Sequence, residues 1–67
     1  MDLSNWLLEK RKEAGLTQAE LAKRIGSAQA VISRYELGER DPTIEMLQKI
    51  AAALDCELVI EFRPKKL

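Results

Sequence analysis

The sequence predicts an all-α domain of four short helices, followed by one C-terminal β-strand. Apolar residues recur at spacings of three and four up to Leu54, and after Asp55 the period changes to two, with Leu58, Ile60 and Phe62 alternating with Glu57, Val59 and Glu61. The 67 residues, 46% of them hydrophobic, suffice for one small core and leave no room for a second. We therefore expect residues 1–55 to form the helical domain and residues 56–67 to form the strand and a basic tail.

The composition excludes several classes of function. Lysine plus arginine and aspartate plus glutamate number eleven each, so the net charge is zero, although a basic face can still be backed by an acidic one. There is no histidine, and the single Cys56 can form neither an internal disulfide nor a zinc site. There is also no leading signal and no apolar run of about 18 residues. These features predict a cytoplasmic protein that is not an enzyme and uses no metal or cofactor.

The first two helices are predicted from their start and stop signals. Apolar spacing favours a first helix from about Leu3 to Ala14, with Gly15 as a left-handed stop. In "TQAELAKRIG", Thr17 and the glutamate three residues later have the spacing of a capping box, and the second helix ends at Gly26.

The third helix has an unusual outer surface. Ser27 is expected to cap it, and it runs to about Leu37 before Gly38 closes it. At about 100° per residue, Ile32 and Tyr35 fall on the inner face. A solvated helix face usually carries many Glu and Lys side chains, whereas this one carries small or short polar groups and one arginine. Its members are Gln29, Ala30, Ser33 and Arg34.

The fourth helix and the strand complete the predicted order. Pro42 marks a turn, and Thr43 is positioned to cap a helix through "IEMLQKIAAAL". Cys56 then fits as a small apolar residue at the junction with the strand. A lone strand needs a hydrogen-bonding neighbour, and the simplest one is the same strand of a second copy, paired antiparallel across a two-fold axis. In the alternative, the strand folds back over the first helix and covers Trp6 or Leu8. The predicted dimer strand includes Leu58, Val59, Ile60 and Phe62.

The middle of the chain meets the requirements of a helix-turn-helix. Two short helices that cross steeply need a small residue at the crossing, a sharp turn and an apolar plug, and Ala22, Gly26 and Ile32 have the matching spacing. The outer face of the third helix would then lie in a DNA major groove, where short side chains allow close approach to the base edges.

The segment "GLTQAELAKRIGSAQAVISRYELGERDPTIEMLQKIAAAL" resembles the phage repressor and Cro helix-turn-helix family, also called the xenobiotic-response-element type. The resemblance covers about residues 7 to 54. It implies base contacts by Ala30, Ser33 and Arg34 together with Gln29, and it implies that Gln18 binds phosphate and supports Gln29. The other residues assigned to phosphate are Ser27, Lys23 and Arg40, the last in a loop that follows the DNA backbone.

The resemblance also implies a structural ion pair between Arg11 and Glu36, which would tie the first helix to the end of the third. The sequence departs from the family at Ala30, where a long polar side chain is common. A methyl group can contact only an apolar feature such as the thymine methyl, so base readout should depend on Gln29 and Arg34. For Arg34, contact with phosphate or solvent is the alternative. Few basic residues surround this face, so tight binding should require two copies and a palindromic operator.

The sequence thus predicts a sequence-specific DNA-binding transcriptional regulator, a repressor, that acts as a homodimer on double-stranded DNA. The order of four helices and a strand also resembles HipB-like antitoxins. That resemblance implies an alternative function, in which the chain neutralises a toxin protein and regulates its own operon. A third interpretation is an interaction module with a vestigial helix-turn-helix. The operator sequence, and the choice between repression and activation, stay open.

Overall fold

The computed structural model describes residues 3–61 and 63–65, and it confirms the predicted four-helix architecture. Among these residues, no helix has both the length and the hydropathy needed to cross a membrane. The elements are α1 (Leu3–Glu13), α2 (Gln18–Arg24), α3 (Gln29–Glu36) and α4 (Ile44–Ala53).

Two helices begin at the threonines that the sequence predicted. The Thr17 hydroxyl accepts a hydrogen bond from the Glu20 backbone N–H, and the Glu20 carboxylate accepts one from the Thr17 N–H, each at 3.1 Å. This reciprocal pair is a capping box. At α4, the Thr43 hydroxyl accepts from the Met46 N–H at 3.1 Å. Both side chains bind backbone N–H groups that have no partner inside the helix.

The predicted cap of α3 was wrong by one residue. Ala28 occupies the N-cap position, with extended backbone and no side-chain hydrogen bond. Ser27 still belongs to the end of α2, because its N–H donates to the Ala22 carbonyl at 2.8 Å. Gly26, with a φ of +67°, turns the chain between the two helices. Ser27, which the sequence pattern assigned to the N-cap of α3, is therefore part of the turn between α2 and α3.

The core lies where the apolar stripes of all four helices meet. The largest fully buried side chains among the described residues lie one on each helix: Leu7, Leu21, Ile32 and Ile50. Helix α3 packs most extensively against α2 and also against α1, while α2 also contacts α4. Ile44, which the same spacing places on the α4 stripe, is exposed at the first residue of that helix. The covered part of the stripe therefore begins one turn later, at Leu47.

The C-terminal segment, residues 56–61, does not form the predicted strand within the single chain. A strand is defined by hydrogen bonds to a neighbouring strand, and the described residues provide no other strand. The helical part ends with the Cys56 N–H donating to the Ala51 carbonyl at 2.8 Å. Pairing of this segment with a second copy stays a prediction, and Phe62 lies outside the described residues.

An apolar groove separates the C-terminal segment from the helices. The segment passes beside α1, as the fold-back alternative expected for Trp6, but Leu8 is not part of the groove. Val59 and Ile60 keep 67% and 53% of their surface exposed. The segment is therefore only partly covered by its own chain. The groove has a volume of about 360 Å³ and is lined by Leu3, Trp6, Leu47, Ala51, Cys56, Glu57, Leu58, Val59 and Ile60.

Candidate nucleic-acid interface

Helices α2 and α3 form a compact two-helix unit around three residues. Ala22 is buried at 2% exposure and Ile32 is completely buried, so both lie inside the unit. A Cβ atom at Gly26 would meet nothing within 4 Å, so the demand for glycine comes from the positive φ and not from crowding. The structure therefore brings together the small residue, the turn and the apolar plug that the sequence predicted.

The burial of Ile32 and Tyr35 fixes which side of α3 faces outwards. Gln29, Ala30 and Arg34 are exposed, and Ser33 is half-buried. The four residues assigned to base contact thus occupy the outer side of one short helix. A surface made of one amide, one methyl, one hydroxyl and one guanidinium can offer hydrogen-bond donors, acceptors and an apolar contact at close range.

The residues assigned to phosphate contact differ in their surroundings. Lys23 and Arg40 are exposed, whereas Ser27 is half-buried in the turn between α2 and α3. Arg40 lies in the loop before α4 and lines a small pocket with residues of α1, including Trp6. Arg24 donates to the Ala53 carbonyl at 3.4 Å, which directs its guanidinium towards α4.

Arg11 and Glu36 form a nearly buried ion pair between α1 and the end of α3. The Arg11 Nε lies 2.6 Å from Glu36 Oε2, and Nη2 lies 3.0 Å from Oε1. The third nitrogen, Nη1, donates to the Leu16 carbonyl at 2.8 Å. The side chains are 11% and 4% exposed, respectively. Two parallel hydrogen bonds and a third partner fix the guanidinium firmly in place.

Gln18 joins this ion pair, a contact that sequence reasoning missed. Its Nε2 donates to Glu36 Oε1 at 2.9 Å. The resemblance implied a supporting contact between Gln18 and Gln29, but within the described residues Gln18 makes its side-chain hydrogen bond to Glu36 instead. The two residues are 18 positions apart and on different helices, so no local pattern could have paired them. A polar residue at the start of α2 was the only available signal.

The network also changes proton affinities. Burial alone raises the pKa of Glu36, but the hydrogen bonds from Arg11 and Gln18, with the positive charges of Arg11 and Lys12, outweigh burial and bring that pKa below its ordinary value. The same hydrogen bonds from Arg11 to Glu36 raise the pKa of Arg11, because they favour its charged form. At the start of α2, the backbone N–H of Thr17 lowers the pKa of Glu20. Each charge is therefore stabilised by its folded surroundings.

Two short helices joined by a sharp turn, an exposed polar face on the second of them and flanking helices that complete one core define a helix-turn-helix domain. The family model for helix-turn-helix proteins of the HTH_3 type matches residues 7–60, which is most of the chain. This protein belongs to that helix-turn-helix family.

Comparison with known proteins finds an antitoxin among the relatives. The antitoxin HigA1 of Mycobacterium tuberculosis is 42% identical over 52 residues, which are 78% of this chain and 35% of HigA1. The chain therefore spans about a third of the length of that relative.

Two solved structures have the same fold. The P22 c2 repressor in complex with a synthetic operator has a TM-score of 0.77 and 31% identity, with 82% of this chain and 83% of the repressor covered. The complex of a HipB variant with an O2 20mer has a TM-score of 0.74 and 35% identity, with coverage of 92% and 86%.

Proposed function

We propose that this protein is a sequence-specific DNA-binding transcriptional regulator, a repressor, that binds a palindromic operator as a homodimer. The observation that carries the proposal is the outer face of α3, where the candidate base-reading side chains stand on a helix held in place by Ile32 and Tyr35. Similarity to a repressor solved with its operator supports the same interpretation. In this function the protein is not an enzyme and needs no cofactor.

Base recognition is assigned to the outer face of α3. Arg34 can donate two hydrogen bonds to guanine, and Gln29 can both donate to and accept from adenine. Ser33 can bond to several bases, and Ala30 can touch a thymine methyl. Gln29 and Arg34 are long and exposed, so their side chains are able to reach a base edge. They therefore carry most of the sequence preference.

Contacts with the DNA backbone are assigned to Lys23, Arg40, Ser27 and Gln18. The two cations supply charge, and the serine hydroxyl and the glutamine amide supply neutral hydrogen bonds. Two cations per subunit neutralise few phosphates. Because affinity and its salt dependence both scale with the phosphates neutralised, a single subunit binds weakly at cellular salt. Two linked subunits bind tightly.

The dimer is assigned to the C-terminal segment. Val59 and Ile60 are exposed apolar side chains beside a groove that the chain itself fills only in part. A second copy could cover both, with the two segments paired antiparallel. A two-fold dimer of this kind would present two α3 helices about 34–36 Å apart, which is one turn of the DNA helix.

The test starts from an operator selected from random double-stranded DNA with the wild-type protein. Gln29→Ala and Arg34→Ala are then compared on the selected site and on sites mutated in each half. Arg34→Ala should reduce discrimination at one base position by about 1–3 kcal/mol, and Gln29→Ala should do so at another. Gln48→Ala and Lys49→Ala, which remove an amide and a positive charge from exposed positions on α4, are the controls. Full sequence preference in both α3 variants would refute the assignment.

A second candidate function is that of an antitoxin that holds a toxin protein and represses its own operon. It is favoured by the similarity to HigA1 and HipB, which are both antitoxins by name. The discriminating observation is a neighbouring reading frame for a toxin-like protein. Sizing the purified chain alone and with that neighbour's product then tests the dimer and the toxin partner together. If the product leaves the size unchanged, the antitoxin function fails while the repressor function stands.

A further inference from the structure

We propose that Glu36 is a positioning residue for DNA binding, because its carboxylate fixes the orientation of the Gln18 amide that contacts the DNA backbone. This inference rests on the proposed function. Its basis is the hydrogen bond of 2.9 Å from Gln18 Nε2 to Glu36 Oε1. Glu36 thus connects two parts of the molecule, the ion pair that holds α1 to α3 and the first residue of α2.

The chemistry of the carboxylate decides which way the amide faces. An ionised carboxylate only accepts hydrogen bonds, so the amide must turn its nitrogen, and not its oxygen, towards Glu36. The lowered pKa of Glu36 keeps it ionised at neutral pH. One N–H of Gln18 is then used by Glu36. The second N–H and the carbonyl oxygen point in fixed directions.

That orientation suits a phosphate. A phosphate oxygen needs a hydrogen-bond donor. If the Gln18 amide were rotated by half a turn, its carbonyl oxygen would take the place of its NH₂ group and would repel the phosphate. A free glutamine samples both orientations and loses this freedom when it binds, whereas a glutamine already oriented loses less. Glu36 therefore makes the Gln18 contact stronger without touching DNA.

The position of Glu36 is itself fixed. Both of its oxygens accept from Arg11, and Arg11 is bound in turn to the Leu16 carbonyl, two residues before Gln18. The guanidinium therefore sits between the end of α3 and the chain that leads into α2. A shift of Glu36 relative to Gln18 requires both of its hydrogen bonds from Arg11 to break, or Arg11 to leave the Leu16 carbonyl.

The experiment is a double-mutant cycle of Gln18→Ala and Glu36→Asp, measured by binding to the selected operator. Aspartate keeps the charge but shortens the side chain by one methylene, which withdraws the acceptor from the amide. We expect Gln18→Ala to weaken binding by about tenfold, the loss of one hydrogen bond to a charged group. Glu36→Asp should weaken binding by about twofold to tenfold, because the Gln18 contact is kept but loses its fixed orientation. In the Gln18→Ala background, Glu36→Asp should weaken binding no further, although it should still lower thermal stability. Equal losses in both backgrounds would overturn the proposal.

The salt dependence separates a positioning role from a general structural one. Loss of a neutral hydrogen bond should leave the slope of the logarithm of the binding constant against the logarithm of the salt concentration unchanged, because no positively charged side chain is lost from the DNA interface. The control Lys23→Ala should reduce that slope by about one. If Glu36→Asp also flattens the slope, α2 and α3 dock poorly as a unit, and Glu36 has only a structural role.

Wild-type protein gives an independent measurement if Glu36→Asp fails to fold. In NMR spectra, one of the two side-chain N–H protons of Gln18 should be hydrogen-bonded to Glu36 both in the free protein and in the operator complex. Loss of this hydrogen bond on DNA binding would refute the proposal. If the wild-type chain selects no DNA sequence at all, the proposed function fails, whereas selective binding with an additive cycle removes only the role of Glu36.

Discussion

Two isoleucines of this chain occupy opposite environments. Ile32 on α3 has no exposed surface, whereas Ile60 in the C-terminal segment keeps 53% of its surface exposed. Each lies in a regular apolar pattern, of helical period in one case and of alternation in the other. The helical stripe finds its partners in the same chain, while the alternating segment is only partly covered. A periodic pattern thus shows which side of an element is apolar but not which molecule covers it.

The largest effect on stability should come from breaking the ion pair between Arg11 and Glu36. Arg11→Ala leaves Glu36 charged, nearly buried and without its main partner, so we expect a loss of about 3–5 kcal/mol in the free energy of unfolding. Urea unfolding followed by circular dichroism measures it. Lys10→Ala is the control on the same helix, because the Lys10–Glu13 pair is exposed. Its removal should cost about 0–1 kcal/mol. Equal losses would show that the Arg11 pair is effectively solvated.

The next effect compares the two isoleucines directly. Ile32→Ala removes fully buried methyl groups and should cost about 2–5 kcal/mol. Ile60→Ala makes the same change on an exposed residue and should stay within about 0.5 kcal/mol at protein concentrations too low for association. At high concentration, Ile60→Ala should shift sedimentation towards the monomer. A large loss for Ile60→Ala in the dilute monomer would mean that its own chain covers the segment, and that the dimer assignment is wrong.

The smallest effect near neutral pH concerns the charge of Glu36. Because the folded-state pKa of Glu36 is lowered, its stabilising contribution is fully present above the ordinary value of 4.5. It is lost as the pH falls through the folded pKa, below 4.5. We therefore expect Glu36 to cause no loss of stability between about pH 7 and pH 5.5, and a loss in more acidic solution. An NMR titration of the Glu36 side-chain carboxyl measures the pKa directly, and a value above 4.5 would contradict the network.

The sequence predicted the helical part well because its signals are local. Thr17 with Glu20, Thr43 and Gly26 each act within four residues, and the structure has them in those roles. The cap at Ser27 failed because the turn after α2 takes up one more residue than the pattern suggests. Local signals therefore locate a helix better than its first residue.

The rest depends on contacts between distant residues. The hydrogen bond from Gln18 to Glu36 arises only when α2 and α3 are packed, so no pattern along the chain could indicate it. The sequence pattern around Val59 and Ile60 likewise cannot show which surface, of the same chain or of a second copy, would cover these two side chains. Residue roles at the DNA interface came from the family resemblance, and they stay proposals until binding is measured.

Trp6 lines the groove beside the C-terminal segment, and it is the sole tryptophan of the chain. Its indole is the natural fluorophore of the protein, and indole emission moves to shorter wavelength when water leaves its surroundings. The native chain can therefore report optically, without any attached dye, when another surface fills the space next to α1. Dilution of the unlabelled protein during emission scans would reveal at what concentration that space empties.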